Sequence, residues 1–523
     1  MQLERARRLA RLAGGYLSYL RTPLDEASAR DRLRERLAER EERFLGCARE
    51  LIYAWPESPL RALLLWAGCG QGELERAVRR DRLERTLAAL RDAGVYLTLD
   101  EVKGRRPIRR PGLELHVTQA SFDNPLLGGG LVGKTSGSRG STSRVLYGWD
   151  FFAEEAANEA LLYAAHDASE LPGAFWLPGP PSISGMHNLL VELKFRRAPE
   201  RWFSHLAPPA TEAAGLAFLR LGARAQGLRV PRIEPTGSAD ATRVARWLAR
   251  ARDQRGGAVL KAFATSAVRV AAAARESGLD LGGCVVLAGG EALSPRRTAF
   301  VRASGARVHA RYVTTETGLV AGSCRHAGDD APDRMHVYAD RLAVIPSADG
   351  THAADGVAPL LFTTLSPASG KVLLNADLGD AGRLERRTCG CPFGELGLEL
   401  TVSGVRSDDK LTFEGVTIAH AILDDAIGAV VEELGGAPDA YQLVDQRDER
   451  GLGRLVVKLS PSVGAFRADH VAERILAELA RRDPAGAIAA RLWRDADVLQ
   501  IVAADPELAP SAKLPRVVRQ VAR

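Results

Sequence analysis

Glycine, serine and threonine crowd residues 127–143, between two stretches that alternate like strands. Backbone amides and hydroxyls gathered in this way can cradle phosphate oxygens. Gly128, Gly133, Lys134 and Thr135 satisfy G-x-x-x-x-G-K-[ST], the pattern in which a lysine reaches bound phosphates. A P-loop of that kind opens a helix directly after its lysine, but here Ser136, Gly137, Ser138, Gly140 and Ser141 follow, and these disfavour helix. The pattern reads as a chance match inside a glycine-rich loop. A second group is Cys324, Cys389 and Cys391 with either His326 or His336. Three thiolates and an imidazole suit tetrahedral Zn²⁺, although C-x-C is tighter than the usual cysteine pair. The alternative is buried free cysteines and surface histidines. Cys47, Cys69 and Cys284 stand in apolar text and read as packing residues.

These groups sit in a chain of 523 residues, long enough for two to four domains. Lysine and arginine total 71 against 65 acidic residues, so the net charge of +6 is a small remainder of interleaved charges. That balance argues against nucleic acid as a partner. The apolar runs fall short of the about 20 residues that cross a membrane. The basic, amphipathic start MQLERARRLARLAGGYLSYL lacks the apolar core of a signal peptide, so the expected location is cytoplasmic. Six cysteines in such a chain make no disulfide framework.

Residues 2–100 place Leu33, Leu37, Phe44 and Leu51 at helical spacing, predicting a helical cap interrupted at Pro56, Pro59 and residues 68–72. Between 150 and 400, helical stretches (152–166, 239–253, 267–277) alternate with β-branched runs such as 283–288, which predicts a large α/β region. From about Val405, helices near 419–434 and 468–482 flank a hairpin built from YQLVDQRD and GRLVVKLS. The expected division is therefore a large domain over 1–404, with 1–100 as its cap, and a small α+β domain over 405–523.

A series of motifs runs through this frame. Thr135-Ser136-Gly137-Ser138-Arg139-Gly140-Ser141-Thr142-Ser143 is followed by Gly289-Gly290-Glu291-Ala292-Leu293 and Tyr312-Val313-Thr314-Thr315-Glu316. Asn375-Ala376-Asp377-Leu378, Arg406-Ser407-Asp408-Asp409 through Gly415-Val416, and Ala512-Lys513-Leu514-Pro515-Arg516 come after. In this order they resemble T-S-G-T-T-G-x-P-K, G-G-E-x-L, Y-G-x-T-E, T-G-D-L, R-S-D-D with a following G-V, and G-K-x-x-R of the adenylate-forming superfamily, which includes acyl-CoA ligases, luciferases and adenylation domains. GVYLTLDEVKGR, RSDDKLTFEGV and the cysteine–histidine set are similar to the phenylacetate-CoA ligase branch. The first hundred residues are covered least.

The resemblance implies activation of a carboxylic acid by MgATP to an acyl adenylate and pyrophosphate, then transfer to CoA, or instead to a carrier-protein thiol or an amine. An aryl acid is compatible. A nucleotide-holding homologue without turnover is a further alternative, and a second copy of the chain is a candidate partner. Physically, Thr135, Ser136, Gly137, Ser138 and Gly140 offer donors to the β- and γ-phosphates, with Arg139 adding charge. By resemblance, Thr315 meets the α-phosphate and Glu316 holds Mg²⁺, a hard cation suited to carboxylate oxygen. Gly290 and Glu291 belong to the nucleotide site, Tyr312 meets the adenine, Asp377 and Arg406 the ribose, and Lys513 the carboxylate and α-phosphate in the transition state. Asp408 matches the hinge, and His187 stands at the acyl pocket unless it is a surface-loop histidine. Among zinc ligands the branch favours Cys324, His336, Cys389 and Cys391 over a set with His326. Taken singly, a Glu, Asp or Lys in such text is usually a solvated surface charge. Arg139, Thr142 and Ser143 in the loop, Val313 for Gly, and Asn375-Ala376 for Thr-Gly depart from the family pattern.

Overall fold

The computed structural model describes residues 13–134, 144–328, 331–348, 356–407, 410–436, 440–482, 484–507 and 517–521. Its centre is one twelve-stranded sheet. The strands are β1 (Gly173–Trp176), β2 (Arg201–Ser204), β3 (Ile233–Pro235), β4 (Val259–Phe263), β5 (Val285–Gly289), β6 (Arg307–Thr314), β7 (Gly318–Gly322), β8 (Met335–Val337), β9 (Leu342–Pro346), β10 (Ala358–Thr364), β11 (Ala376–Arg386) and β12 (Leu400–Arg406). Their spatial order is β9-β10-β11-β12-β8-β7-β6-β5-β4-β1-β2-β3. From β6 to β3 every pairing is parallel; from β6 to β9 every pairing is antiparallel.

The parallel half follows from its sequence. VLKAF and VVLAG are buried at every position, as strands covered on both faces must be. Side chains of a strand point alternately to opposite faces. Val285 and Leu287 accordingly join a core with Phe152, Leu161, Leu189 and Leu193 from α1 (Trp149–Ala164) and α2 (Ile183–Lys194). Val286 and Ala288 join the opposite core with Val244, Leu248, Val268 and Ala271 from α4 (Ala241–Arg255) and α5 (Ala264–Glu276). Between these pairs in the chain lies α3 (Ala213–Ala225). The cap residues Leu51, Leu63 and Leu87 belong to the second core, and among the described residues the region from 13 to 102 is largely helical as expected, in short pieces.

The structure moves several sequence expectations. His187 stands inside α2, not in a surface loop. In the antiparallel half of the sheet the long strand β11 mixes buried, half-buried and exposed residues without regular alternation, so local pattern does not mark it as a strand. Leu131–Lys134 pairs antiparallel with Arg144–Tyr147, so Gly133 and Lys134 both lie in a strand. A Cβ on Gly133 would fall 2.4 Å from the Tyr147 ring, which gives that glycine a packing role.

The C-terminal part has its own core, in which residues from Leu411 to Ile501 are joined by Leu206. It comprises a hairpin, β13 (Lys410–Phe413) and β14 (Val416–Ala419), and a four-stranded sheet. In that sheet β15 (Tyr441–Arg447) and β16 (Gly453–Leu459) pair antiparallel as the sequence predicts. They are flanked by β17 (Leu499–Ala503) and β18 (Val517–Val521), both parallel to their neighbours. Helices α6 (His420–Glu433), α7 (Ala468–Arg482) and α8 (Pro484–Asp495) complete it.

A charge network is sealed beneath the sheet. Lys261 of β4 reaches Glu159 of α1 and Glu192 of α2, both at 2.7 Å, with all three side chains fully buried. Arg311 of β6 pairs with Glu159 at 2.9 Å and donates to Asn188 Oδ1 at 3.0 Å. Burial opposes ionisation of Glu159, but Arg311 and Lys261 outweigh it and hold the carboxyl at about 2. A depressed carboxyl contributes stability above its unfolded value of about 4.5, and that contribution is lost as pH falls toward 2. Glu159→Gln should therefore flatten the acid branch of the urea-unfolding profile between pH 5 and 2.5, by up to about 1.4 kcal/mol per pH unit relative to wild type. Parallel profiles would remove this account of Glu159.

Candidate functional site

A cavity of about 1200 Å³ opens at the C-terminal ends of the parallel strands and is closed in part by the C-terminal unit. Crevices beyond the carboxyl ends of strands are where open α/β sheets bind ligands. Gly290 follows β5 with φ +74°, and a Cβ there would lie 2.9 Å from the Phe263 ring, so glycine is required twice over. Residues 290–294 and 310–316, following β5 and ending β6, line the cavity together with 180–184 after β1. Thus Gly290, Glu291, Tyr312, Thr315, Glu316 and Arg406, distant in sequence, are brought to one wall.

Each has a defined setting. Tyr312 is buried and donates to Asp380 Oδ2 at 2.7 Å. Burial, reinforced by Asp380, pushes its phenol well above the usual value, so it stays a donor. The Thr315 carbonyl accepts Tyr147 Oη at 2.5 Å. Glu316, 8% exposed, receives Lys103 Nζ on Oε1 at 2.6 Å. Lys103, which also lines the cavity, follows a short helix whose capping box joins Thr98 to Glu101. It was not singled out in the sequence, although it lies in GVYLTLDEVKGR.

Glu291 is occupied by protein. Its carboxylate accepts the Thr265 amide at 2.9 Å, Thr265 Oγ1 at 3.0 Å, Arg297 Nη1 at 3.1 Å and the Gly415 amide at 2.5 Å. Gly415 belongs to the turn between β13 and β14, and its φ of +72° and the Phe263 ring 2.2 Å from an ideal Cβ exclude any side chain. Arg297 Nε donates to the Gly451 carbonyl at 2.8 Å, Arg269 pairs with Glu414 at 2.8 Å, and the Ser238 amide donates to Asp495 at 2.6 Å. Burial pushes the Glu414 carboxyl up, against the pull of Arg269. These contacts seat the C-terminal unit over the cavity.

Two of the expected residues stand apart from the cavity lining. Asp377 does not line the cavity; its Oδ1 accepts the Gly379 amide at 2.6 Å. Pro359 and Leu361 of β10 face Ala381 and Asp377 of β11, so extra residues bulge out of β11 around Gly379, whose φ is +82°. A bulge re-aims side chains, and here it turns Asp380 into the cavity. His187 also stands outside the lining, whereas Ser184 and Met186 of the same helix contribute to it. Its ring packs against Tyr147, Phe151 and Phe152, and Nε2 bonds Glu155. Burial disfavours the Glu155 charge, but His187, Arg341 and the Leu319 amide overcome it and hold the carboxyl low. Trp176, Trp202 and Phe203 are core residues; the aromatic side chains at the cavity include Tyr16, Trp149 and Phe218. Thr135, Ser136, Gly137, Ser138, Arg139, Gly140, Asp408 and Lys513 lie outside the described residues.

Outside the cavity lining, Cys324, His336, Cys389 and Cys391 converge with all four ligand atoms within 4.8 Å of one another. Cys324 Sγ lies 3.7 Å from Cys389 Sγ, and Cys391 Sγ 3.4 Å from His336 Nε2. Tetrahedral edges built on Zn–S and Zn–N bonds are about 3.8 and 3.6 Å. His336 Nδ1 donates to the Leu398 carbonyl at 2.7 Å, which leaves Nε2 as the free lone pair, as in metal-bound histidines. His326 Nδ1 is 3.6 Å from Cys389 but its side chain is exposed. The four donors could hold one tetrahedral ion.

No family model matches the chain, and no curated protein matches it. Among solved structures it is similar to 2-hydroxyisobutyryl-CoA ligase in complex with 2-HIB-AMP and CoA in the thioesterification state. The TM-score is 0.57 at 16% identity over 92% of this chain and 90% of that one. The amide bond synthetase McbA from Marinactinospora thermotolerans matches with a TM-score of 0.45 at 15% identity, over 96% and 98% of the two chains. The first likeness shows that the chain shares the fold of that ligase.

The buried Lys103–Glu316 pair generates a measurable coupling. Lys103→Met leaves a carboxylate without its ammonium and should cost about 3 kcal/mol in urea unfolding. The double variant with Glu316→Gln should recover most of that loss; additive losses would show the pair to be uncoupled.

Proposed function

We propose that the protein is an AMP-forming ligase that activates a carboxylic acid with ATP and passes the acyl group to CoA. The observation that carries this reading is the convergence of the G-G-E turn, the Y-V-T-T-E strand end, Arg406 and the Gly415 turn of the C-terminal unit on one cavity. The fold shared with a CoA ligase supports it. In the first step an oxygen of the acid attacks the α-phosphorus; one P–O bond forms, the bond to pyrophosphate breaks, and pyrophosphate leaves. In the second, the thiol sulfur attacks the acyl carbon and AMP departs. Positioning and neutralisation of charge do most of the work in such displacements. Arg406 and Asp380 would hold the ribose, with Asp380 in the place first given to Asp377. Tyr312, tied to Asp380, would form a wall of the base site. Thr315 would meet the α-phosphate. The buried Glu316 carboxylate fits Mg²⁺, which would screen phosphate charge, and Lys103 beside it would balance the carboxylate before ATP arrives. The loop over 135–143 and Lys513 would complete the site, and the chain would divide near Val405 into body and lid with Asp408 as hinge. An amine or carrier thiol as acceptor is the alternative outcome of the same assay.

The test is acid-dependent exchange of labelled pyrophosphate into ATP. Wild type should exchange with at least one acid of a broad panel, and Lys513→Ala should lower the rate by about 100-fold or more. No exchange by folded wild type would reject the reading, and CoA, amines and carrier protein compared as acceptors would settle the second step.

The Cys324–His336–Cys389–Cys391 cluster is proposed as a structural zinc site, because its fourfold protein ligation leaves no open position. Purified protein should carry about one zinc per chain, and Cys391→Ser should lose it with a lower thermal midpoint. Metal-free, equally stable wild type would exclude the site.

A further inference from the structure

We infer that the apolar arm of the cavity is the acyl subsite and that it selects a bulky, uncharged aromatic carboxylic acid, larger than a single ring; this rests on the adenylating reading above. Lys103, Glu316, Asp380 and Arg406 line the cavity together with an apolar group: Tyr16 from the helix over 13–21, Trp149 at the start of α1, Met186 of α2, and Leu216 and Phe218 of α3. Tyr16 touches both Trp149 and Phe218, so their rings form one continuous aromatic stretch of the lining. The N-terminal helix, which the family motifs do not reach, thus supplies part of the wall that the acid would touch.

This wall is fixed before any ligand arrives. Tyr16 Oη donates to the Leu219 carbonyl at 2.7 Å, and its ring lies 5.6 Å from Trp149 and 5.8 Å from Phe218. A Cβ on Gly15 would fall 2.3 Å from Trp149 Nε1, and one on Gly222 2.6 Å from the Tyr16 ring. Glycine at both places lets the three helices close around the aromatic rings. Phe218 is nevertheless 38% exposed, a large aromatic side chain left uncovered at a cavity that also holds the nucleotide motifs. The whole volume, about 1200 Å³, exceeds the roughly 300–1,000 Å³ of a typical single-ligand pocket. A nucleotide and a second sizeable group fit it. Tilted and edge-on aromatic contacts favour an aromatic body over a charged or polar one.

Gly215 allows a clean test. It lines the cavity, a Cβ there meets nothing within 4 Å, and it sits in α3 without a positive φ. Gly215→Phe would fill the arm and favour helix over glycine. The probes are 2-naphthylacetate and acetate, each assayed by pyrophosphate exchange, with calorimetric binding of 2-naphthylacetate measured separately in the absence of ATP. Wild type should prefer 2-naphthylacetate by kcat/KM, and Gly215→Phe should cut that preference about 100-fold, chiefly through KM. Phe218→Ala should lower it less. A wild-type preference for acetate, or an unchanged preference in Gly215→Phe, overturns the proposal. If no acid supports exchange, the adenylating reading fails by itself. Calorimetry then still decides the subsite: binding abolished by Gly215→Phe supports it, and absent or unaffected binding rejects it.

Discussion

A buried carboxylate has to find donors for its lone pairs, and in this protein that requirement joins the cavity wall to the C-terminal unit. Glu291 stands at the end of β5, where the turn through Gly290 brings it under Phe263. Its donors come from α5, from the helix Pro295–Arg302 and from the β13–β14 turn. Arg297, 2% exposed, extends the link to the Gly451 carbonyl. Removing one partner of such a set leaves an uncompensated charge, so the turn, the cavity floor and the seat of the C-terminal unit are interdependent. The side chain that the motif suggested as a nucleotide contact is therefore the joint between the cavity wall and the C-terminal unit.

The same principle recurs deeper in the body. Lys261, Arg311, Glu159 and Glu192 place full charges under a sheet whose neighbours are Val, Leu and Phe. Because β4 and β6 must present these groups toward α1 and α2, a one-residue slip of either strand would turn the charges into the opposite, apolar core. The network specifies register as well as contributing to stability. Lys103 and Glu316 repeat the arrangement at the cavity wall, where the balanced pair keeps an acidic side chain in a mostly buried site.

The cysteine–histidine cluster joins segments of the antiparallel half. Cys324 follows β7, His336 lies on β8, and Cys389 and Cys391 follow β11. The strands β8 and β12 pair through only two residue positions, so side-chain ligation across this region would supply cohesion that the short ladder does not.

Local pattern was sufficient for β5, for the helices α1, α4 and α5 and for the C-terminal hairpin, because apolar period and turn residues are properties of neighbouring positions. Motif order likewise pointed to Gly290, Tyr312, Thr315, Glu316 and Arg406 as one site, and the cysteine spacing pointed to the donor cluster. Which of two aspartates faces the cavity depended on a bulge set by cross-strand register, which no local window contains. His187 shared its helix with two lining residues, yet packing against Tyr147 and Phe152 turned its ring to Glu155 instead. Lys103 pairs with a residue 213 positions away, and Tyr16 meets Phe218 across a similar span. The sequence by itself determined which chemical groups were available and roughly where each element begins. Tertiary structure decided which groups meet, because pairing distance, burial and side-chain direction are settled by packing between segments remote in the chain.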